Sequence, residues 1–447
     1  MKWEEIRQAR PADLALPVKN LERYAYMLSE LGMGEEAQRQ MDEIRDFMET
    51  KLRICDTMIQ NAPPVPTEPD TLEDILRQRP SGRRRLTDRI PDDYKDRLMG
   101  ALLGRGAGCT LGAPLEGETR EKMSKWARYC GDNWPLTDYW SKVRNPYESR
   151  YITGTTVGLT KGNIDCIPMD DDTAYTLIGL LTLEEKGPDF TPEQMLEVWQ
   201  KYMPLKGENG NWGVCWGERS MLQNLEAGMS PLEAGHRKNP QQTFIAAWTR
   251  ADTWGYVCPG WPEKAAQMAY RDASVNHVRG GVYGEMFFAA AIAAAFTVED
   301  PLDALRIGLE EIPQQCLFAD GIRWALGQKV TDAEQAAELV EKKYPGMFSG
   351  HAVNNAALVV LGLKLGDGDF TRTIGETVAM GLDNDCTAAT AGSILGAVMG
   401  SKKIPSHWTK PFCGRIQSYF KGLPPYWDLG EVAERYLRQA EKITGGI

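Results

Sequence analysis

Between Gly381 and Gly400 the chain reads GLDNDCTAATAGSILGAVMG, and this segment limits the fold more than any other. Ala388, Ala389, Ala391, Gly392, Ser393, Gly396, Ala397 and Gly400 leave almost no side-chain bulk. Each glycine inside a helix costs about 1 kcal/mol relative to alanine. That cost is offset where a neighbouring backbone comes very close, as in the middle of a helical bundle. Such a helix carries Asp383 and Asp385, at its head, into the interior. Buried carboxylates need partners.

The rest of the main body reads as helical too. DDYKDRLMGALLGRGAG, DTAYTLIGLLTLEEKG, TPEQMLEVWQKYM, PEKAAQMAYRDAS, TDAEQAAELVEKKY and DLGEVAERYLRQAEKI all carry apolar residues at helical spacing, several behind a capping Asp, Thr or Pro. MFFAAAIAAAF, from Met286 to Phe296, reads as a buried helix too short to span a membrane. The regions WARYC…WPLTDYW and YITGTTVGL are expected to form short strands or long loops. No repeat of fixed period is present. The fold class predicted is all-α: a large bundle-like domain with a central cleft, plus a helical extension at the N-terminus.

That extension covers residues 1–90, and the main domain residues 91–447. Met41, Ile44, Met48, Leu52, Cys55 and Ile59 form an apolar stripe, and Gly32 and Gly34 break the region into a helical hairpin. The stripe suits packing on the chain itself, a dimer surface or a coiled-coil arm. NAPPVPTEP (Asn61–Pro69) is a stiff connector, followed by a short helix at Thr71–Arg79.

Charge and cysteines narrow the function. The net charge of −11 removes a fold-wide basic footprint for nucleic acid, and Arg83–Arg85 reads as a solvated linker patch. No apolar stretch is membrane-spanning. The 9 cysteines show no CxxC or zinc spacing, and MKWEEIRQAR, charged from its start, is unlike a secretory signal. Reduced thiols in the cytoplasm are the expectation.

Asp170, Asp171 and Asp172 open another predicted helix, with Thr173 behind them. One carboxylate suffices to cap a helix, and three repel one another unless a cation intervenes. Carboxylate oxygens are the ligands hard divalent cations prefer. Two acidic clusters, each at a helix head, could share one or two cations. GALLGRGAGCTLGAPLEG (Gly100–Gly117) lacks the order of a dinucleotide or phosphate loop and reads as a tightly packed helix ending in a turn. Glu116, just past it, is a solvated loop residue or a general base. Arg250, Asp252, Trp254, His277 and Tyr283 stand among glycines and small residues. They are candidates for substrate contact, with core packing, or an Arg250–Asp252 ion pair, as the alternative.

Taken together, DDDT at a helix start, GLDND before AATAGSILGAVMG, GALLGRGAGCTLGAPLEG, and RADTWGYVCPG…AYRDASVNHVRGGVYGEMF resemble the ADP-ribosylglycohydrolase family, in family order. The resemblance implies an all-α fold whose central cleft holds two Mg²⁺ ions, and hydrolysis of the glycosidic bond at C1″ of an ADP-ribosyl group. It implies metal ligands at Asp171, Asp172, Asp383 and Asp385, with Asp170 and Cys386 in the same clusters. Glu116 and Asp172 become the candidate catalytic groups. The expected partner is an ADP-ribosylated protein or an ADP-ribose-like small molecule. Four positions depart from the family pattern: Asp170, Asn384 and Cys386 replace threonines, and Cys109 replaces an aspartate. Sulfur is a poor donor to Mg²⁺, which leaves Mn²⁺ open. A hydrolase of another ribosylated small molecule, a phosphohydrolase or a non-catalytic member stays open as well.

Overall fold

The computed structural model describes residues 15–82, 84–141, 158–205 and 214–445. Most of YITGTTVGL, and Arg83, lie outside them.

Two helices form the centre. Tyr94–Gly112 and Asn384–Met399 run antiparallel, touching along one glycine-lined seam. A Cβ on Gly104 would lie 2.1 Å from the Gly392 carbonyl oxygen, and one on Gly392 would lie 2.2 Å from that of Gly104. Gly100 meets Gly396, Gly108 meets Ala388, and Gly112 meets the backbone of Asp385. One residue per turn of the first helix, and Gly392 and Gly396 of the second, thus carry no side chain, so that the backbones can close. Gly392→Ala is therefore expected to cost about 1–3 kcal/mol, the usual range for overpacking. Urea denaturation checks this, and an unchanged midpoint would contradict the seam.

Around this pair pack Asp171–Lys186, Ala251–Tyr256, Gly280–Ala295, Ala352–Gly366 and Phe370–Ala379. The Gly280–Ala295 helix, which contains most of MFFAAAIAAAF, is buried along its whole length, so its lack of a polar face is physically consistent. The all-α expectation holds. A single two-stranded ribbon, Arg415–Gln417 against Tyr426–Asp428, is the only sheet among the described residues.

WARYC is not a strand. It ends the helix Arg120–Cys130, which Thr119 caps by accepting from Lys122 and which Gly131 terminates at φ +76°. WPLTDYW is irregular. Helices at Ala15–Glu30 and Gly34–Gln60 form the hairpin, turning at Gly32 with φ +81°. Its stripe is covered only in part: Met41 and Ile44 are half-buried, whereas Leu52 and Ile59 are exposed. Asp56 ties the hairpin to the body, accepting from Arg237 Nε at 2.9 Å and Lys238 N at 2.8 Å. No helix of the described residues is long and apolar enough to cross a membrane.

Candidate metal centre

The seam decides where the acids go. Asp385 lies in the first turn of one central helix, pressed against Gly112 at the end of the other. Leu382, just ahead, has φ +61°, a conformation a leucine rarely adopts. Its carbonyl accepts from Gly117 N at 3.2 Å, which fixes the Glu116 loop beside the Asp383 loop. Asn355 Oδ1 accepts from Asp383 N at 3.3 Å. On the other side, Ile167 joins the ribbon through its N–H to Arg415 O at 2.8 Å and its carbonyl from Gln417 N at 2.9 Å. That pairing sets the approach to Asp170, whose carboxylate accepts from Asp172 N at 3.0 Å as the helix cap.

The two clusters, far apart in the chain, converge. Three groups of potential ligand atoms form, each with its atoms within 4.8 Å of one another: Cys109, Asp170 and Asp172; Asp172, Asp385 and Cys386; Glu116, Asp383 and Asp385. Asp172 and Asp385 each belong to two of them. Asp172 is 0% exposed and Asp385 3%. Asp172 Oδ2, Asp383 Oδ1 and Asp385 Oδ1 are buried without a hydrogen-bond partner. Buried polar atoms are nearly always satisfied, so orphaned oxygens on carboxylates that share donor groups fit a cation.

Asp171 stands apart from these groups. Cys215 Sγ donates to its Oδ2 at 2.5 Å, so the first cluster offers Asp170 and Asp172 rather than the expected Asp171–Asp172 pair. Arg105 was not singled out by sequence. It donates from Nη2 to Asp172 Oδ1 at 3.1 Å, from Nε to Asp172 O at 2.9 Å, and from Nη1 to Asp252 Oδ2 at 2.7 Å. It thereby holds one oxygen of Asp172 and leaves the other for the cleft.

The five residues expected to touch substrate are all buried, and each has a polar atom bonded to an internal partner. Asp252 meets Arg105, Tyr256 and Ser393 rather than Arg250. Arg250 donates to Glu218 at 3.0 Å and Asn276 at 3.1 Å, and its Nε lies 3.4 Å from Asp272. Trp254 donates to Glu285 at 2.8 Å. His277 Nδ1 lies 2.8 Å from Asn276 Oδ1, and burial lowers its basicity well below that of a free histidine. Tyr283 donates to Pro69 O at 2.6 Å, fastening the proline-rich connector. A chain that needs polar groups inside a small-residue bundle produces the same local sequence as a substrate pocket.

Aromatic surface lies elsewhere. Trp216, next to Cys215, is 55% exposed, and its ring centroid is 6.1 Å from that of Phe348. Phe348 O accepts from Asn354, the neighbour of Asn355. Neither aromatic carried a sequence signal: each stands in a stretch with no motif.

Burial, followed by Asp170 and Asp172, pushes the Asp171 carboxyl well up. Burial, followed by Glu116 and Asp383, does the same for Asp385. At the exposed rim, partial loss of hydration, then Asp383 and Asp170, push Glu116 up to about 7 from 4.5. The folded protein therefore holds this proton more tightly than the unfolded chain. Without a cation, stability falls as pH rises from about 4.5 through about 7. A cation replaces the proton and binds best above that range. Thermal melts at pH 6 and pH 8 are expected to show the metal-free protein weaker at pH 8, and the larger rise in Tm on Mn²⁺ addition there. Equal rises at both pH values would contradict this.

Comparison with known proteins shows the family. A model of the ADP-ribosylglycohydrolase family matches residues 90–442, most of the chain. The chain belongs to the ADP-ribosylglycohydrolase family. A solved structure described as an ADP-ribosylglycohydrolase-related protein complex is similar at 19% identity with a TM-score of 0.48, over 79% of this chain and 100% of that one. No curated protein matches.

Proposed function

We propose that this chain hydrolyses the glycosidic bond at ribose C1″ of an ADP-ribosyl group, in a cleft loaded with divalent cations. The observation that carries the reading is that Asp172 and Asp385, 213 positions apart, share one donor group, and that each has a buried oxygen without a hydrogen-bond partner. Asp170, Asp172, Asp383, Asp385 and Glu116 would hold the cations. Bound there, these supply Lewis acidity toward the ribose hydroxyls and a water.

The chain's own groups do the remainder. Arg105 keeps Asp172 oriented, and the Asn355 and Gly117 contacts keep Asp383 and Glu116 in place. Glu116, ionised, is positioned to take a proton from the attacking water. The water oxygen bonds to C1″ as the bond to the leaving group breaks, and the leaving group takes up a proton. Positive charge develops on the ribose ring, as at other glycosidic centres, and the surrounding carboxylates favour it. Trp216 and Phe348 offer the flat apolar surface that buried Trp254 and Tyr283 cannot. Residues 1–90 are an appendage to this catalytic body, residues 91–447.

The test is release of free ADP-ribose from an ADP-ribosylated protein and from a small ADP-ribosyl conjugate, with Mg²⁺ or Mn²⁺. ADP-ribose from either supports the reading. Phosphate release instead, or a cation-loaded protein inert on both, would overturn it.

A further inference from the structure

We propose that Cys109 and Cys386 give the cleft a sulfur-bearing cation position, selective for a borderline ion of the Zn²⁺ or Co²⁺ class, beside an oxygen-only position at Glu116, Asp383 and Asp385. This rests on reading the cleft as a cation site, and it names the ion.

Each thiol belongs to a donor group with two carboxylates: Cys109 with Asp170 and Asp172, Cys386 with Asp172 and Asp385. Asp172 is common to both, so the two sulfurs flank the same carboxylate. Its Oδ2, in a side chain with no exposure, has no hydrogen-bond partner, and neither has Asp385 Oδ1. Cys109 is 2% exposed, Cys386 6%, and neither is in a disulfide. Both are held by the central seam: Cys109 follows Gly108, packed on Ala388, and Cys386 follows Asp385, packed on Gly112. The third group contains only oxygen.

Ligand type then sorts the ions. Mg²⁺ demands octahedral oxygen and gives up its waters reluctantly. Zn²⁺ accepts a small mixed set of thiolate and carboxylate ligands. The thiolate is the ligand, so each metal–sulfur bond that forms sends one thiol proton to solvent. The ion's charge replaces that proton among the carboxylates.

The test uses the full chain, stripped with chelator and kept reduced, and Co²⁺ as the probe. A sulfur-to-Co²⁺ charge-transfer band is expected on titration, weakened in Cys109→Ser and in Cys386→Ser and absent in the double variant. One equivalent of Zn²⁺ should erase it, while about a thousandfold excess of Mg²⁺ should not. Serine is nearly isosteric, and circular dichroism verifies that each variant is folded. Co²⁺ binding seen by calorimetry without the band would overturn the sulfur position and leave the cation cleft standing. Failure of Co²⁺, Mn²⁺ and Mg²⁺ alike to bind would overturn both.

Discussion

Asp385→Asn is expected to lose at least about a thousandfold in turnover while remaining folded. Cation stabilisation of developing charge is worth several kcal/mol, and about 4 kcal/mol is a factor of a thousand. Asp385 serves two donor groups, so its loss strips an oxygen from both. The same substitution removes a buried carboxyl that faces Glu116, Asp383, Asp170 and Asp172 and whose ionisation they oppose. The metal-free variant is accordingly expected to be at least as stable as the parent. Activity measured with saturating Mn²⁺, alongside a urea melt without it, checks both halves. Retention of a tenth of parental turnover would contradict the role. Asp172→Asn should behave alike in turnover, although it also weakens the Arg105 contact.

Arg250→Ala is expected to cost about 3–5 kcal/mol, the usual penalty for removing one partner of a buried ion pair. Arg250 is 1% exposed and is enclosed by Glu218, Asp272 and Glu285, all without exposure, with the Trp199 ring 5.4 Å away. Burial, then Asp272, pushes the Glu285 carboxyl well up. Without the guanidinium, Glu218 and Asp272 lose their cation. Since domains are stable by only about 5–15 kcal/mol, the variant should unfold at markedly lower urea. Glu285→Gln keeps the shape and the acceptor for Trp254 and leaves Arg250 with Glu218 and Asp272, so it should shift stability by less than about 1 kcal/mol. A mild Arg250→Ala, or a Glu285→Gln as damaging, would contradict this description.

The central helix and the acidic heads were legible because both obey local rules. Glycines 100, 104, 108 and 112, and 392 and 396, fall at four-residue steps and have few other uses inside a helix, and an aspartate run at a helix start exceeds what capping needs. The capping reading of Asp170 and the ligand reading were set against each other in the sequence. In the structure Asp170 caps the helix and also belongs to a donor group. What stayed hidden depends on contacts across the chain. Arg105 is 67 positions from Asp172, and Cys215 is 44 from Asp171. No local pattern marks either. The stretch holding Arg250, Asp252, Trp254, His277 and Tyr283 misled for a physical reason. A buried ionic network and a ligand pocket both set polar and aromatic groups among small residues, and only burial separates them. The ribbon at Arg415–Gln417 is 3 residues long, too short to show alternation.

Anomalous diffraction from crystals soaked in Mn²⁺ tests the convergence of the two acidic clusters most directly. A peak is predicted within coordination distance of Asp385, with Asp172 and Asp170 or with Asp383 and Glu116 completing its shell. Mn²⁺ bound elsewhere on the molecule, with nothing between these carboxylates, would contradict the account.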